Sequence, residues 1–180
     1  MTVSVRYGAT MPALAFLVAA CGGRQPVGVV VPDRGAPIAG NMASPGRTGV
    51  SEAEAVRIRS AVVELALEAM GTPYVWGGTS ENGFDCSGLI QYAYRRHGIE
   101  LPRVSRSQMR AGTAVNRSIE DLKPGDVLGF NAQRGGRITH VGLYLGNNRF
   151  IHSSPRGVEQ ADLTTRYWRQ HWVGARRMVP

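Results

Sequence analysis

The chain has 180 residues and carries 21 lysines and arginines against 13 aspartates and glutamates, a formal charge of +8 with its histidines neutral. About 130 residues from Ser51 onward suit one domain with a sizeable core, and neither an internal repeat nor a second module is visible within them. Lys123 is the only lysine and the arginines are scattered, with pairs such as Arg95-Arg96 and Arg176-Arg177 suiting solvated faces, so the charge does not form the clustered stripe of a nucleic-acid binder.

Near the start, Arg6 precedes an apolar run from Met11 to Ala20 that is too short to span a bilayer and has the form of a secretory signal. Its end, Val18-Ala19-Ala20-Cys21, resembles the bacterial lipobox, after which the signal is removed and the cysteine is lipid-modified. On this reading residues 1–20 are a lipoprotein signal peptide, and acyl chains on Cys21 anchor the protein to a membrane without spanning it. Gly22, rather than aspartate, follows the cysteine, which for such lipoproteins implies the outer membrane and a periplasmic location. An ordinary signal with a chance cysteine is the alternative. Residues 21–50 then comprise the lipidated cysteine and a flexible tether, rich in glycine and containing Pro26, Pro32, Pro37 and Pro45 without a sustained period.

The domain is expected over residues 51–180. Ser51 with Glu54 forms a capping box, and Ala55, Ile58, Val62, Leu65, Ala66 and Ala69 give the first helix one apolar face that Gly71 ends. A glycine-rich turn from Gly77 to Asp85 leads into Cys86, which opens a helix pattern running to Gly98 with Leu89, Ile90, Ala93 and Tyr94 on its own stripe. The first turn of a helix carries unpaired N–H groups and partial positive charge, which favours thiolate and can hold an oxyanion. The same placement suits a small buried core residue, and the histidines decide between the two. His97 lies eleven residues after Cys86, about 16 Å along the helix, and suits a helix C-terminus before Gly98. Ser105 with Gln108 marks a further short helix.

Residues 138–145 alternate as a strand, with Val141, Leu143 and Leu145 on one face and His140, Gly142 and Tyr144 on the other. Gly146-Asn147-Asn148 is turn chemistry, and residues 149–153 form the return strand of a hairpin. With a loop centred on Gly146, His140 stands directly opposite His152, and the two rings share a hydrogen bond. His140 then takes the thiol proton of Cys86 while His152 fixes its tautomer and orientation, and Gly142 leaves space for a substrate backbone. A zinc site from Cys86, His140 and His152 is the chemical competitor, but neither a CxxC nor an HxxxH pair supports it, so no metal and no cofactor are expected. His171, set among Tyr167, Trp168 and Trp172, is expected to pack.

Four strings occur in order: Gly71-Thr72-Pro73-Tyr74-Val75-Trp76-Gly77-Gly78, Phe84-Asp85-Cys86-Ser87-Gly88-Leu89, Leu122-Lys123-Pro124-Gly125-Asp126 and Thr139-His140-Val141-Gly142-Leu143-Tyr144. Over roughly residues 54 to 178 they resemble the NlpC/P60 cysteine peptidases. The resemblance implies an α+β, papain-like fold with N-terminal helices packed on a central antiparallel β-sheet. It implies hydrolysis of amide bonds in peptidoglycan, within stem peptides or at cross-links, and a monomer is expected. By position, Cys86 is the nucleophile, His140 the base and His152 the third member, while Tyr74 lies beside the thiolate and Asp85 and Ser87 line the substrate subsite. A noncatalytic wall-binding lipoprotein, or an amidase or acyltransferase on another substrate, would use the same cleft.

Overall fold

A computed structural model describes residues 50–131 and 137–180; the signal peptide, Cys21 and the tether expected from the sequence lie outside the described residues. Helix α1 (Glu52–Glu68) begins as its capping box requires, with the Ser51 hydroxyl accepting the Glu54 N–H at 3.2 Å. Its buried face is rotated from the expected stripe: Ala55, Arg59, Val62 and Ala66 are buried, and Ile58 and Leu65 only half so. The cause is Arg59, whose guanidinium reaches the Glu52 carboxylate at 2.9 Å and the carbonyls of Val179 and Pro180. A buried arginine is tolerable only with such partners, and its aliphatic stem packs like an apolar residue.

A small hairpin, β1 (Thr79–Ser80) and β2 (Gly83–Phe84), delivers the chain to helix α2 (Cys86–Arg95). The helix ends at Arg95, and Gly98, at φ 73°, turns the chain so that the Ile99 N–H meets the Tyr94 carbonyl at 3.2 Å; the exposed His97 lies in this terminus. Helix α3 (Ser105–Gln108) is present, but not through a capping box. Val104 is its N-cap without a side-chain bond, and Gln108 is buried, donating to the carbonyls of Ser87 at 2.9 Å and Pro102 at 3.0 Å.

The remaining strands are β3 (Thr113–Val115), β4 (Val127–Phe130), β5 (His140–Gly146), β6 (Arg149–Ser154), β7 (Gly157–Asp162) and β8 (Trp172–Arg177). They form one antiparallel sheet in the order β3-β8-β4-β5-β6-β7. This is the α+β arrangement expected, with α1 and α2 packed on one face over Val127, Val141, Leu143 and Ile151. The opposite face has a core of its own, Leu128, Phe130, Tyr144, Phe150, Leu163 and Trp172, beside the short helix α4 (Arg166–His171). Coverage on both faces explains why β4 is buried at every position rather than at alternate ones.

The β5–β6 hairpin departs from the expected register. Its loop is a two-residue turn, Asn147-Asn148 at φ 49° and 63°, flanked by Gly146 opposite Arg149. Leu145 is then skipped as a bulge, and the pairs Tyr144–Phe150 and Leu143–Ile151 follow. Continuing that register places Gly142, not His140, across from His152. The histidines keep to one face, because the bulge restores the parity, but they stand diagonally. Gly142 serves packing rather than substrate: a Cβ there would lie 2.6 Å from the Phe150 ring.

Candidate active site

The nucleophile's position is built from its first turn. Asp85 is the N-cap of α2, and its carboxylate accepts the Gly88 N–H at 2.7 Å and the Gly77 N–H at 3.1 Å. A Cβ at Gly88 would lie 1.9 Å from the Gly78 carbonyl oxygen, so only glycine lets the glycine-rich turn close on the helix start. Arg103 grips the same carboxylate with two bonds, 3.0 and 2.6 Å, and also donates to the Ser87 hydroxyl at 3.0 Å. Burial pushes the Asp85 carboxyl up, but Arg103, Gly88 and Ser87 together outweigh it and hold it below the ordinary range. From the sheet, the Ser153 hydroxyl donates to the Phe84 carbonyl at 2.7 Å, tying β6 to the turn that carries Cys86.

His140 begins β5 and His152 lies within β6. His140 Nε2 is 3.0 Å from His152 Nδ1, with the rings edge to face at 5.0 Å. This bond occupies Nε2 and leaves Nδ1 of His140 as its nitrogen available to the sulfur. Aromatic rings enclose the pair: Trp168 lies 6.1 Å from His140 and 5.0 Å from His152, Phe130 lies 6.1 Å from His140, and Phe150 stacks on His152 at 5.2 Å. Burial is therefore the main influence on both. It lowers His140 to about 3, with His152 adding to the effect. His152 falls to about 4, burial outweighing the Glu159 carboxylate that pulls it up.

Cys86 is a free thiol beside the start of β5, where the Val141 N–H faces its sulfur. Burial raises its pKa, the Val141 N–H opposes, Asp85 raises it further, and the N–H groups of Ser87 and Cys86 itself oppose again. The net direction is upward, so the helix start acts with the sign expected from the sequence but is outweighed by burial. The resting pair is thiol and neutral imidazole. Tyr74 stays a phenol, raised by burial and then by its nearness to Cys86 and Asp85.

All six residues singled out in the sequence within the described region, Tyr74, Asp85, Cys86, Ser87, His140 and His152, line one cavity of about 970 Å³. Asp85 and Ser87 do so while serving mainly as helix cap and Arg103 anchor. Three contributors were not foreseen: Arg103, Glu159 and Trp168. His171 also reaches the wall of this cavity, its ring tilted against that of Tyr167 at 4.3 Å between centroids, rather than packing inside the core. Among the described residues, no group of three or more histidines, cysteines or carboxylates is arranged to hold a metal ion.

The family profile described as "NlpC/P60 family" matches residues 71–177. The chain is 36% identical over 143 residues to the murein DD-endopeptidase MepH of Escherichia coli K12, covering 77% of this chain and 53% of that protein. It is 40% identical over 119 residues to the bifunctional muramidase/DL-endopeptidase CwlT of Bacillus subtilis 168, covering 65% of this chain and 36% of that protein. The crystal structure of an NlpC/P60 family protein from Bacillus cereus ATCC 10987 superposes with a TM-score of 0.63 at 39% identity, over 68% of this chain and 40% of that one. The chain thus spans about a third to a half of the length of these two curated relatives.

Proposed function

This chain belongs to the NlpC/P60 family, and from that premise we propose that it is a cysteine peptidase that hydrolyses amide bonds in peptidoglycan. One observation carries the reading: the 3.0 Å bond between His140 and His152 lies on the wall of the same cavity as Cys86. A thiol at a helix start, a neutral imidazole and a second ring orienting it are the parts of an acyl-transfer site.

The chemistry starts from the neutral pair. As the sulfur attacks the substrate carbonyl, its proton moves to Nδ1 of His140, and the carbonyl oxygen becomes an oxyanion. The Gly88 N–H is taken by Asp85, whereas those of Cys86 and Ser87 face the sulfur, so these two, with the Tyr74 phenol, are the donors for the oxyanion. The imidazolium of His140 gives its proton to the leaving amine, and the acyl group remains on Cys86. Water, deprotonated by His140, releases it and restores the thiol. Arg103, partly exposed on the cavity wall, has its charge paired with Asp85 and serves to hold the start of the nucleophile helix in place.

The names of the relatives include both DD- and DL-endopeptidases, so either the cross-link or a bond within the stem is the target. Mass spectrometry of soluble fragments released from purified sacculi names the bond; release that persists in Cys86→Ala removes the nucleophile. The same reading has the domain tethered in the periplasm through a lipidated Cys21, by the lipobox resemblance. Cys21→Ala then leaves hydrolysis intact and frees the protein from membranes, and continued membrane association argues against the anchor.

A further inference from the structure

We propose that Glu159 is a positioning residue that fixes the tautomer of His152, and through it that of His140, so that the His140 nitrogen available to the sulfur is a base when substrate arrives. This rests on the catalytic reading of Cys86 and His140 above.

Glu159 stands directly across from His152 in the β6–β7 register. Its carboxylate is held by three donors: the Ser154 hydroxyl at 2.6 Å, and Nε and Nη2 of Arg156 at 3.1 and 2.8 Å. Oε1 lies 3.9 Å from Nε2 of His152, a ring that is 3% exposed. That separation is too long for a hydrogen bond, so Glu159 acts as a fixed negative charge aimed at one edge of a buried imidazole.

Between His140 Nε2 and His152 Nδ1 there is room for one proton, which allows two arrangements of the neutral pair. In the first, His140 donates from Nε2 and His152 carries its own proton on Nε2, facing the carboxylate. In the second, His152 donates from Nδ1, its bare Nε2 lone pair faces the carboxylate, and His140 carries its proton on Nδ1. The second sets a lone pair against a negative charge and leaves His140 no basic nitrogen for the thiol. Glu159 selects the first. When the sulfur attacks, the proton passes from Sγ to Nδ1 of His140, and the positive ring keeps its Nε2–H on His152. No proton travels on to Glu159.

The groups facing His152 are His140 from β5, Glu159 from β7, Arg156 from the turn between β6 and β7, and the uncharged rings of Trp168 from α4 and Phe150 from β6 itself. Arg156 is the one cation among them, and it is engaged by the carboxylate it helps to hold.

The test reads proton positions directly. In protein labelled with ¹⁵N-histidine, long-range proton–nitrogen correlation spectra near neutral pH show His152 protonated at Nε2 and bare at Nδ1. In Glu159→Gln the ring becomes a mixture of tautomers, and kcat on soluble muropeptides falls about tenfold, the scale expected when an outer-shell partner of a working histidine is lost, with KM little changed. Glu159→Asp keeps the wild-type tautomer and recovers most of the rate. A wild-type His152 protonated at Nδ1, or a proton position and turnover unaltered in Glu159→Gln, overturns the proposal. The spectra need no turnover, so the two failures are distinguishable: a protein that does not hydrolyse the wall sinks the functional reading, while the proton position on His152 alone decides whether Glu159 sets the tautomer.

Discussion

The two sides of the cavity are built from different physics. Around Cys86 the structure is polar and directional: a capping carboxylate, a bidentate arginine, a glycine contact that admits no side chain, and a serine bond from the sheet. Around His140 and His152 it is aromatic, with Trp168, Phe130 and Phe150 and one ring-to-ring hydrogen bond. Directional bonds fix where the sulfur sits; removal from water fixes which protonation state the rings hold. Place and charge are thus governed separately.

The contrast can be broken from the imidazole side first. His140→Ala removes the base and lowers hydrolysis of sacculi by on the order of 10²-fold or more, with little loss of fold; a near-wild-type rate would mean that another group takes the proton. The next largest effect is on acid stability. An unfolded histidine titrates near ~6.5, whereas His140 and His152 are held to about 3 and about 4. The unfolded chain therefore binds protons first as pH falls. Stability is fully present above about 6.5 and is lost below it, by up to about 1.4 kcal/mol per pH unit for each ring, until the folded values are reached. Chemical denaturation between pH 7 and 4 checks this, and a midpoint insensitive to pH would mean that the rings are not held neutral.

Opening the aromatic side sharpens the comparison. Trp168→Leu lets water nearer both rings, so the acid limb of kcat/KM moves upward toward the ordinary histidine value; a shift downward would mean that the indole is not what lowers them. The smallest effect belongs to the polar side. Asp85→Asn keeps a capping side chain but loses the negative charge that pairs with Arg103, costing about 1 kcal/mol, a few degrees in a melting experiment, while the acid limb stays in place. If the acid limb moved with it, the separation of the two sides would fail.

Periodicity made α1, α2 and the β5–β6 hairpin legible, and chemistry-bearing residues in those elements proved to share one cavity. The register of the histidines was not legible, because Gly146-Asn147-Asn148 is compatible with several turns and a bulge at Leu145 has no composition signal. The burial of Arg59 was not legible either, because its partners, the carbonyls of Val179 and Pro180, come from the far end of the chain. Arg103 is one arginine among many, and only its closeness to Asp85 distinguishes it. Glu159 follows from strand pairing, and β7, half-buried along most of its length, has too weak an alternation to announce itself.

The Ser153 hydroxyl bond to the Phe84 carbonyl has a mechanical consequence. Ser153 is the immediate neighbour of His152 along the chain, and a single residue, Asp85, lies between Phe84 and Cys86, so the bond acts as a rivet through the joint between the sheet and the hairpin–helix layer. Any shear of one layer against the other must break that rivet before reagents drift apart, and an engineer reshaping the cavity mouth for a new substrate can vary its rim freely while keeping this fastening untouched.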